Sequence, residues 1–250
     1  MTKEILKKII PIKLRQKIRA LEHKIFGLDS KYKNLSTEDV FDNIYEKGIW
    51  GKDEQSNSTS GTGSHKAEIV DPYVNVVKKV ITDNNIKTAV DLGCGDFAVG
   101  SLIVDCCETY NACDISNVIL EKNRSKYQSP KLKFEKLDLS KDVLPHADIA
   151  FVRQVLQHLS NENIKSFVQQ LNDSKNFKFL LITEHLPFDK NFLPNKNKPN
   201  GPNIRIAINS GVILHNEPFN LNYKTMETVL SVDQDTGGSN AVIQTTLYKL

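Results

Sequence analysis

From about residue 67 onward, short apolar runs alternate with longer segments whose apolar residues recur every three or four positions. The short runs predict strands at 88–92, 109–114, 131–137, 147–152 and 177–183. The longer segments predict helices over 67–84, from Ser116 onward and over 161–172, and a further helix is expected at 97–104, just after the first strand. Strands that alternate with helices in this way form a parallel sheet covered on both faces. The last two apolar runs, 225–232 and 241–250, flank the loop DQDTGGSN, which contains a Gly-Gly pair. They are expected to pair antiparallel, so that the sheet is mostly parallel, seven-stranded, with one reversed strand at its end.

Upstream of this core the pattern changes. Residues 35–50 (LSTEDVFDNIYEKGIW) predict a helix with Ser36 or Thr37 as N-cap and Glu38 and Asp39 in its first turn. Residues 51–66 (GKDEQSNSTSGTGSHK) are polar and rich in Gly and Ser, which fits either a linker or a loop that covers a ligand. Residues 1–34 read as a basic helical extension, with Pro11 as a break. The organisation expected is therefore an extension over 1–34, a helix and covering loop over 35–66, and a main domain over 67–250. Within that domain, 184–220 holds five of the nine prolines and reads as a long functional loop.

Charge sharpens this division. Residues 1–34 carry ten Lys/Arg against three Asp/Glu, a balance of +7 in a chain whose total is +3, so the rest sums to −4. The extension is either a solvated appendage or a contact for an anionic membrane surface or a partner enzyme. An acidic remainder argues against nucleic acid as a partner. Apolar content of 39% and charged content of 25% are those of a globular protein. No apolar run is long enough to span a bilayer and no secretory leader is evident, so a cytoplasmic protein is expected, at most peripheral to the membrane. The four cysteines, Cys94, Cys106, Cys107 and Cys113, lack ligand spacing and read as small buried residues, and no metal site is expected.

The candidate chemistry starts at AVDLGCGDFAVG, residues 89–100. A strand ending in a glycine turn brings backbone N–H groups to a ligand. The third glycine of a dinucleotide motif is replaced by Ala98, which alone does not exclude such a ligand. Asp91 is more telling, because a carboxylate beside the turn repels a pyrophosphate but attracts an ammonium. Asp114 ends the second strand and suits a ribose diol, and Asp138 ends the third and suits an exocyclic amine.

VDLGCGDF, followed by CDIS and LDLS, resembles the class I S-adenosylmethionine-dependent methyltransferases over roughly residues 67–250. The resemblance implies a Rossmann-like, doubly wound α/β fold and S-adenosylmethionine as cofactor. It further implies Asp91, Gly93, Cys94 and Gly95 near the amino-acid end, Asp114 with Ile115 at the ribose, and Asp138 with Leu139 at the adenine. The segment FDNIYEKGIWG…SGTGSHK is similar to an element of bacterial methyltransferases associated with surface-polysaccharide (capsule or O-antigen) biosynthesis. That similarity implies Tyr45, Trp50 and the Ser60–Ser64 loop over the methionine end, with Trp50 and Ser64 counted with the cofactor and Tyr45 with the substrate. Trp50 equally reads as a hydrophobic anchor for the upstream helix.

On the acceptor side, His158 follows the fourth strand in RQVLQHLSNENI and is a candidate general base, or a histidine that holds a backbone carbonyl. Glu184, a candidate to orient His158 or bind a substrate hydroxyl, and His185, a candidate base itself, follow the fifth strand, and alternation lets only one of them face the pocket. Arg153, at the end of the fourth strand and so beside the cofactor, and Arg205, in the long loop, are candidates for an anionic group. The function expected is O-methylation of a small polar acceptor such as a sugar or sugar phosphate. Its rivals are N-methylation of a small amine and a non-catalytic docking module, and Asp91 disfavours a dehydrogenase.

Overall fold

The computed structural model describes residues 27–235 and 240–250. Residues 1–26, most of the basic extension, lie outside the described residues. Seven strands form one sheet in the order β3-β2-β1-β4-β5-β7-β6. They are β1 (Thr88–Leu92), β2 (Thr109–Asp114), β3 (Leu132–Lys136), β4 (Ala147–Arg153), β5 (Phe177–Pro187), β6 (Thr225–Asp235) and β7 (Asn240–Lys249). The first five run parallel, and β7 pairs antiparallel with both β5 and β6. The mostly parallel sheet with its reversed strand is thus as the hydrophobic pattern predicts.

The helices are α1 (Thr37–Lys47), α2 (Ala67–Asp83), α3 (Asn117–Lys126) and α4 (Asn161–Asp173). Alternation along the strands divides the core between the two faces. Ile149 and Phe151 of β4 pack on one face with Val77 and Ile81 of α2. Ala150 and Val152 pack on the other with Ile44 of α1 and Phe167 of α4. Local chemistry sets the helix ends: Ser36 Oγ accepts from Asp39 N at 3.1 Å, and Gly48 adopts the left-handed conformation (φ 58°) that stops α1. Ser160 Oγ likewise accepts from Asn163 N at the start of α4.

Three expectations need correction. No α-helix follows β1; two short 3-10 turns, Gly100–Leu102 and Val104–Cys106, stand in the place of the helix expected at 97–104. Phe97 causes this. Its side chain is fully buried, with its ring edge-on to Tyr110, Tyr127 and Phe134 at 5.0–5.7 Å. Reaching that pocket takes a left-handed backbone (φ 58°), which cannot start a helix. Second, β5 continues to Pro187, so Glu184 and His185 lie within a paired strand rather than beyond its end.

Third, the long loop is a packed structure. Arg205 is 1% exposed and donates to the carbonyls of Lys196 (3.1 Å), Leu156 (2.8 Å) and Leu159 (2.7 Å) and to Asn161 Oδ1 (2.9 Å). The Asn195 amide bridges Ile213 and Glu217. Lys198 forms a buried ion pair with Asp29 at 3.0 Å, and Asp29 also accepts from Asn203 Nδ2 at 2.6 Å. Residues 27–34 are therefore built into the main fold: Leu28 and Tyr32 are buried, and a single 3-10 turn, Ser30–Tyr32, takes the place of the helix expected there.

Removing the Arg205 guanidinium leaves several buried carbonyls without donors. Arg205→Ala should cost about 3 kcal/mol or more in urea unfolding. Arg205→Lys should recover only a minor part, because an ammonium cannot present the planar fork. Limited proteolysis should show both variants cut first within 188–224.

Candidate active site

The carboxyl ends of β1, β2, β3 and β4 open into one cleft. Residues 93–96 form its floor, and their N–H groups are all used inside the protein. Gly93 and Cys94 donate to the Cys113 carbonyl at 2.8 and 2.9 Å, Gly95 to Asp114 Oδ2 at 3.0 Å, and Asp96 to Ser60 Oγ at 2.8 Å. With neither a free amide in this turn nor a helix N-terminus behind it, the turn offers nothing to a phosphate. Glycine is required at both positions. Gly93 and Gly95 have φ of 82° and 56°, and a Cβ at Gly93 would lie 2.5 Å from Val155, while one at Gly95 would strike Ser60 Oγ.

Two desolvated carboxylates face the cleft. Asp91 accepts from the Tyr110 hydroxyl at 3.0 Å, and burial pushes its pKa up to about 7. Asp114 accepts from the N–H groups of Gly95 and Ser116, and burial lifts it to about 6 against those bonds. Among the described residues, no Lys or Arg stands within 4.0 Å of either. Neither therefore has an ion-pair partner to repay its desolvation, and the single Tyr110 hydroxyl offsets only part of that of Asp91. Further along the edge, Asp138 holds Ser140 N and Oγ at 2.9 and 2.6 Å, with Ile115 and the buried Leu139 beside it.

The upstream elements close the cleft from above. Ser116 Oγ bonds Asp42 of α1 at 2.5 Å, which fixes that helix over the end of β2. Trp50 packs against Tyr45 (5.4 Å) and the His158 ring (4.8 Å) and donates Nε1–H to the Pro202 carbonyl at 3.1 Å, so it is both an anchor and part of the wall. The Gly/Ser segment is a cover. Asp96 Oδ2 takes Ser60 N and His65 Nε2, each at 2.7 Å, and the Tyr45 hydroxyl lies 3.3 Å from Ser60 Oγ. Arg153 reaches the same cover, donating to the Gly63 carbonyl at 2.7 Å and Ser64 Oγ at 3.4 Å.

His158 lines the cleft. Its Nδ1 lies 3.2 Å from the Gly201 carbonyl and must carry the proton, which leaves Nε2 as acceptor, 3.4 Å from the Gln157 amide nitrogen. Burial, then the Lys198 charge, pushes its pKa down to about 3, so the ring is neutral at physiological pH. Glu184, His185 and Arg205 do not line this cleft. The Glu184 carboxylate accepts from Leu156 N and Gln157 N, both at 2.9 Å; burial raises its pKa to about 8, and it touches the backbone of the His158 turn rather than the imidazole. His185 is sequestered between Gln157 Oε1 (2.8 Å) and Gln234 Oε1 (2.6 Å). Arg205 spends its donors on backbone carbonyls, which corrects the expectation that it binds an anionic acceptor.

The remaining expected residues, from Tyr45 and Trp50 to Arg153 and His158, line the one cleft. It also contains residues that the sequence reading passed over. Phe41 and Tyr73 sit at helical core positions that look like any buried aromatic, and Gln154 carries no motif. Asp96, directly after the glycine turn, was visible in the motif and could have been read.

An ammonium for Asp91, hydroxyls for Asp114 and a flat base between Ile115 and Leu139 are what S-adenosylmethionine offers, and the donor set fits it. The O-methyltransferase domain family matches residues 28–191. No curated protein matches the chain in sequence. Among solved structures, human N-acetylserotonin methyltransferase in complex with SAM is 13% identical (TM-score 0.53; 94% of this chain and 66% of that one covered). N-methyltransferase NodS from Bradyrhizobium japonicum WM9, in complex with S-adenosyl-l-homocysteine, is 11% identical (TM-score 0.54; 83% and 99% covered). Magnesium protoporphyrin IX methyltransferase from Synechocystis PCC 6803, with bound SAM, is 12% identical (TM-score 0.51; 85% and 97% covered). With the family model spanning more than half of its length and a cleft whose acids suit a sulfonium amino acid, the chain belongs to the O-methyltransferase domain family of S-adenosylmethionine-dependent methyltransferases.

Proposed function

We propose that this methyltransferase acts on a hydroxyl of a small polar acceptor, with His158 as the base. The observation that carries the reading is a neutral imidazole in the cleft wall whose tautomer is set by the Gly201 carbonyl. The cofactor supplies an electrophilic methyl group on a sulfonium. The protein has to hold an oxygen in line with that group and accept its proton. A base held near pKa 3 takes a proton from an alcohol only as the C–O bond forms, so proton transfer and methyl transfer are coupled. The covering segment excludes water from the reacting atoms. A sugar or sugar phosphate as acceptor, in the setting of surface polysaccharide, is supported by the resemblance carried by the segment from Phe41 to Lys66. The same depressed basicity favours a second reading, a neutral amine acceptor that needs no base.

Methyl-labelled S-adenosylmethionine with a panel of nucleotide sugars, sugar phosphates and small amines, read by mass spectrometry, identifies the acceptor and the atom attacked. For a hydroxyl acceptor, His158→Ala should lower kcat by about 100- to 10,000-fold while S-adenosylhomocysteine still binds. A loss of only a few-fold would transfer the reading to the amine.

Cofactor affinity should also depend on pH. Burial pushes the Asp91 pKa up to about 7, and only its ionised form attracts the ammonium. Affinity for S-adenosylmethionine should therefore rise with pH up to about 8 and fall on the order of tenfold per unit below about 7. Calorimetry in buffers of differing ionisation heat should detect protons released on binding near pH 6.5. Because the folded Asp91 pKa is raised, the native state binds the extra proton, and this carboxylate lowers stability as pH rises from about 4 to 7. Asp91→Asn should accordingly raise Tm at pH 8 while weakening cofactor binding.

A further inference from the structure

Two adjacent side chains at the end of β4 carry buried hydrogen-bond donors with no partner: Arg153 Nε and Gln154 Nε2. Both residues line the active-site cleft. Adjacent residues of a strand normally point to opposite faces, but Gln154 adopts a left-handed backbone (φ 57°), which ends the alternation where β4 ends. A non-glycine residue in that conformation is strained, and such strain concentrates at ligand sites. The guanidinium lies over the Tyr73 ring, 4.9 Å from its centroid, and among the described residues no carboxylate stands within 4.0 Å of it. The cover lies directly on both groups. Arg153 donates to the Gly63 carbonyl, and a Cβ at residue 63 would press into the Gln154 amide, 3.0 Å from Nε2, so any larger residue there would displace that amide.

We propose that Arg153 and Gln154 form a carboxylate receptor, closed by Gly63 and Ser64. One planar carboxylate accepts from both orphaned donors and neutralises the buried guanidinium. A phosphate dianion fits less well, since only two donors remain and Asp91 and Asp96 both add negative potential at the guanidinium. The carboxylate has two possible sources. With Asp91 as the ammonium partner, the receptor completes a site for the zwitterionic amino-acid end of the cofactor; alternatively it takes a carboxylate on the acceptor. The proposal rests on the cofactor reading only for the first source.

The test is calorimetric titration of the full chain with S-adenosylhomocysteine and with 5′-methylthioadenosine, which keeps the nucleoside thioether but lacks the amino-acid end. Wild type, Arg153→Met, Arg153→Lys and Gln154→Leu are compared, with thermal melts confirming that each is folded. If the cofactor supplies the carboxylate, Arg153→Met should weaken S-adenosylhomocysteine about tenfold or more and Gln154→Leu by a smaller factor. Affinity for 5′-methylthioadenosine should stay unchanged, and Arg153→Lys should regain part of the loss. If the acceptor supplies it, S-adenosylhomocysteine should bind all variants alike. Acetate should then raise the Tm of the S-adenosylhomocysteine-saturated wild type and not that of the Met and Leu variants. Equal losses for both nucleosides, or no change in either together with no acetate effect, would overturn the receptor. Should the wild type bind neither nucleoside, the cofactor reading fails by itself; an acetate-induced Tm rise in the ligand-free protein, absent from the variants, would still support the receptor.

Discussion

One short turn, Leu156–His158, depends on side chains from three distant segments, and the active-site wall depends on that turn. Its N–H groups at Leu156 and Gln157 go to the Glu184 carboxylate, and the carbonyls of Leu156 and Leu159 go to Arg205. The His158 carbonyl accepts from Gly201 N at 3.0 Å and Lys198 Nζ at 3.1 Å, and Lys198 is held in turn by Asp29. Burying Glu184, Arg205, Lys198 and Asp29 carries a large desolvation penalty, which is offset only because each charge is bonded at several points. The network gives rigidity. It fixes the His158 ring against Trp50 in a buried position, where desolvation and then the nearby Lys198 charge keep the ring neutral.

The half of the cleft around Asp91 and Asp114 follows a different principle, since neither carboxylate has an ion-pair partner among the described residues. Asp91 and Asp114 are buried without an ion pair among the described residues, and although the Arg153 charge acts on Asp91, burial outweighs it and leaves both pKa values raised. Such sites hold stability in reserve and return it when the complementary charge arrives. The contrast with Glu184 is informative. That carboxylate is equally buried, but the amides of the His158 turn occupy it, so it supports structure and presents nothing to the cleft.

Much of the framework was legible in the chain. Asp91 and Asp114 stand at the ends of β1 and β2 because a period of two fixes which way a strand's last residues point, whereas Asp138, expected at the end of the third strand, lies two residues beyond β3. The covering role of residues 51–66 was readable only as one of two alternatives, since a Gly/Ser composition does not say whether a segment has a partner. The partner is Asp96, reached from Ser60 across 36 positions. The helix expected after β1 failed because local propensity carries no information about Phe97, which is drawn into a core pocket lined by Tyr110, Tyr127 and Phe134.

By itself the sequence determined the sheet, the reversed last strand and the edge at which the glycine turn and its acids assemble, because these follow from interactions between near neighbours along the backbone. Tertiary structure alone decided what Glu184, His185 and Arg205 do. Each is the right residue type near the right edge, and each is turned from the cleft by groups 28 to 49 residues away. It likewise set the side chains of Arg153 and Gln154 each against Gly63. A charged side chain is committed by whichever polar group reaches it first in a dry interior, and which group that is depends on how distant segments return to one another.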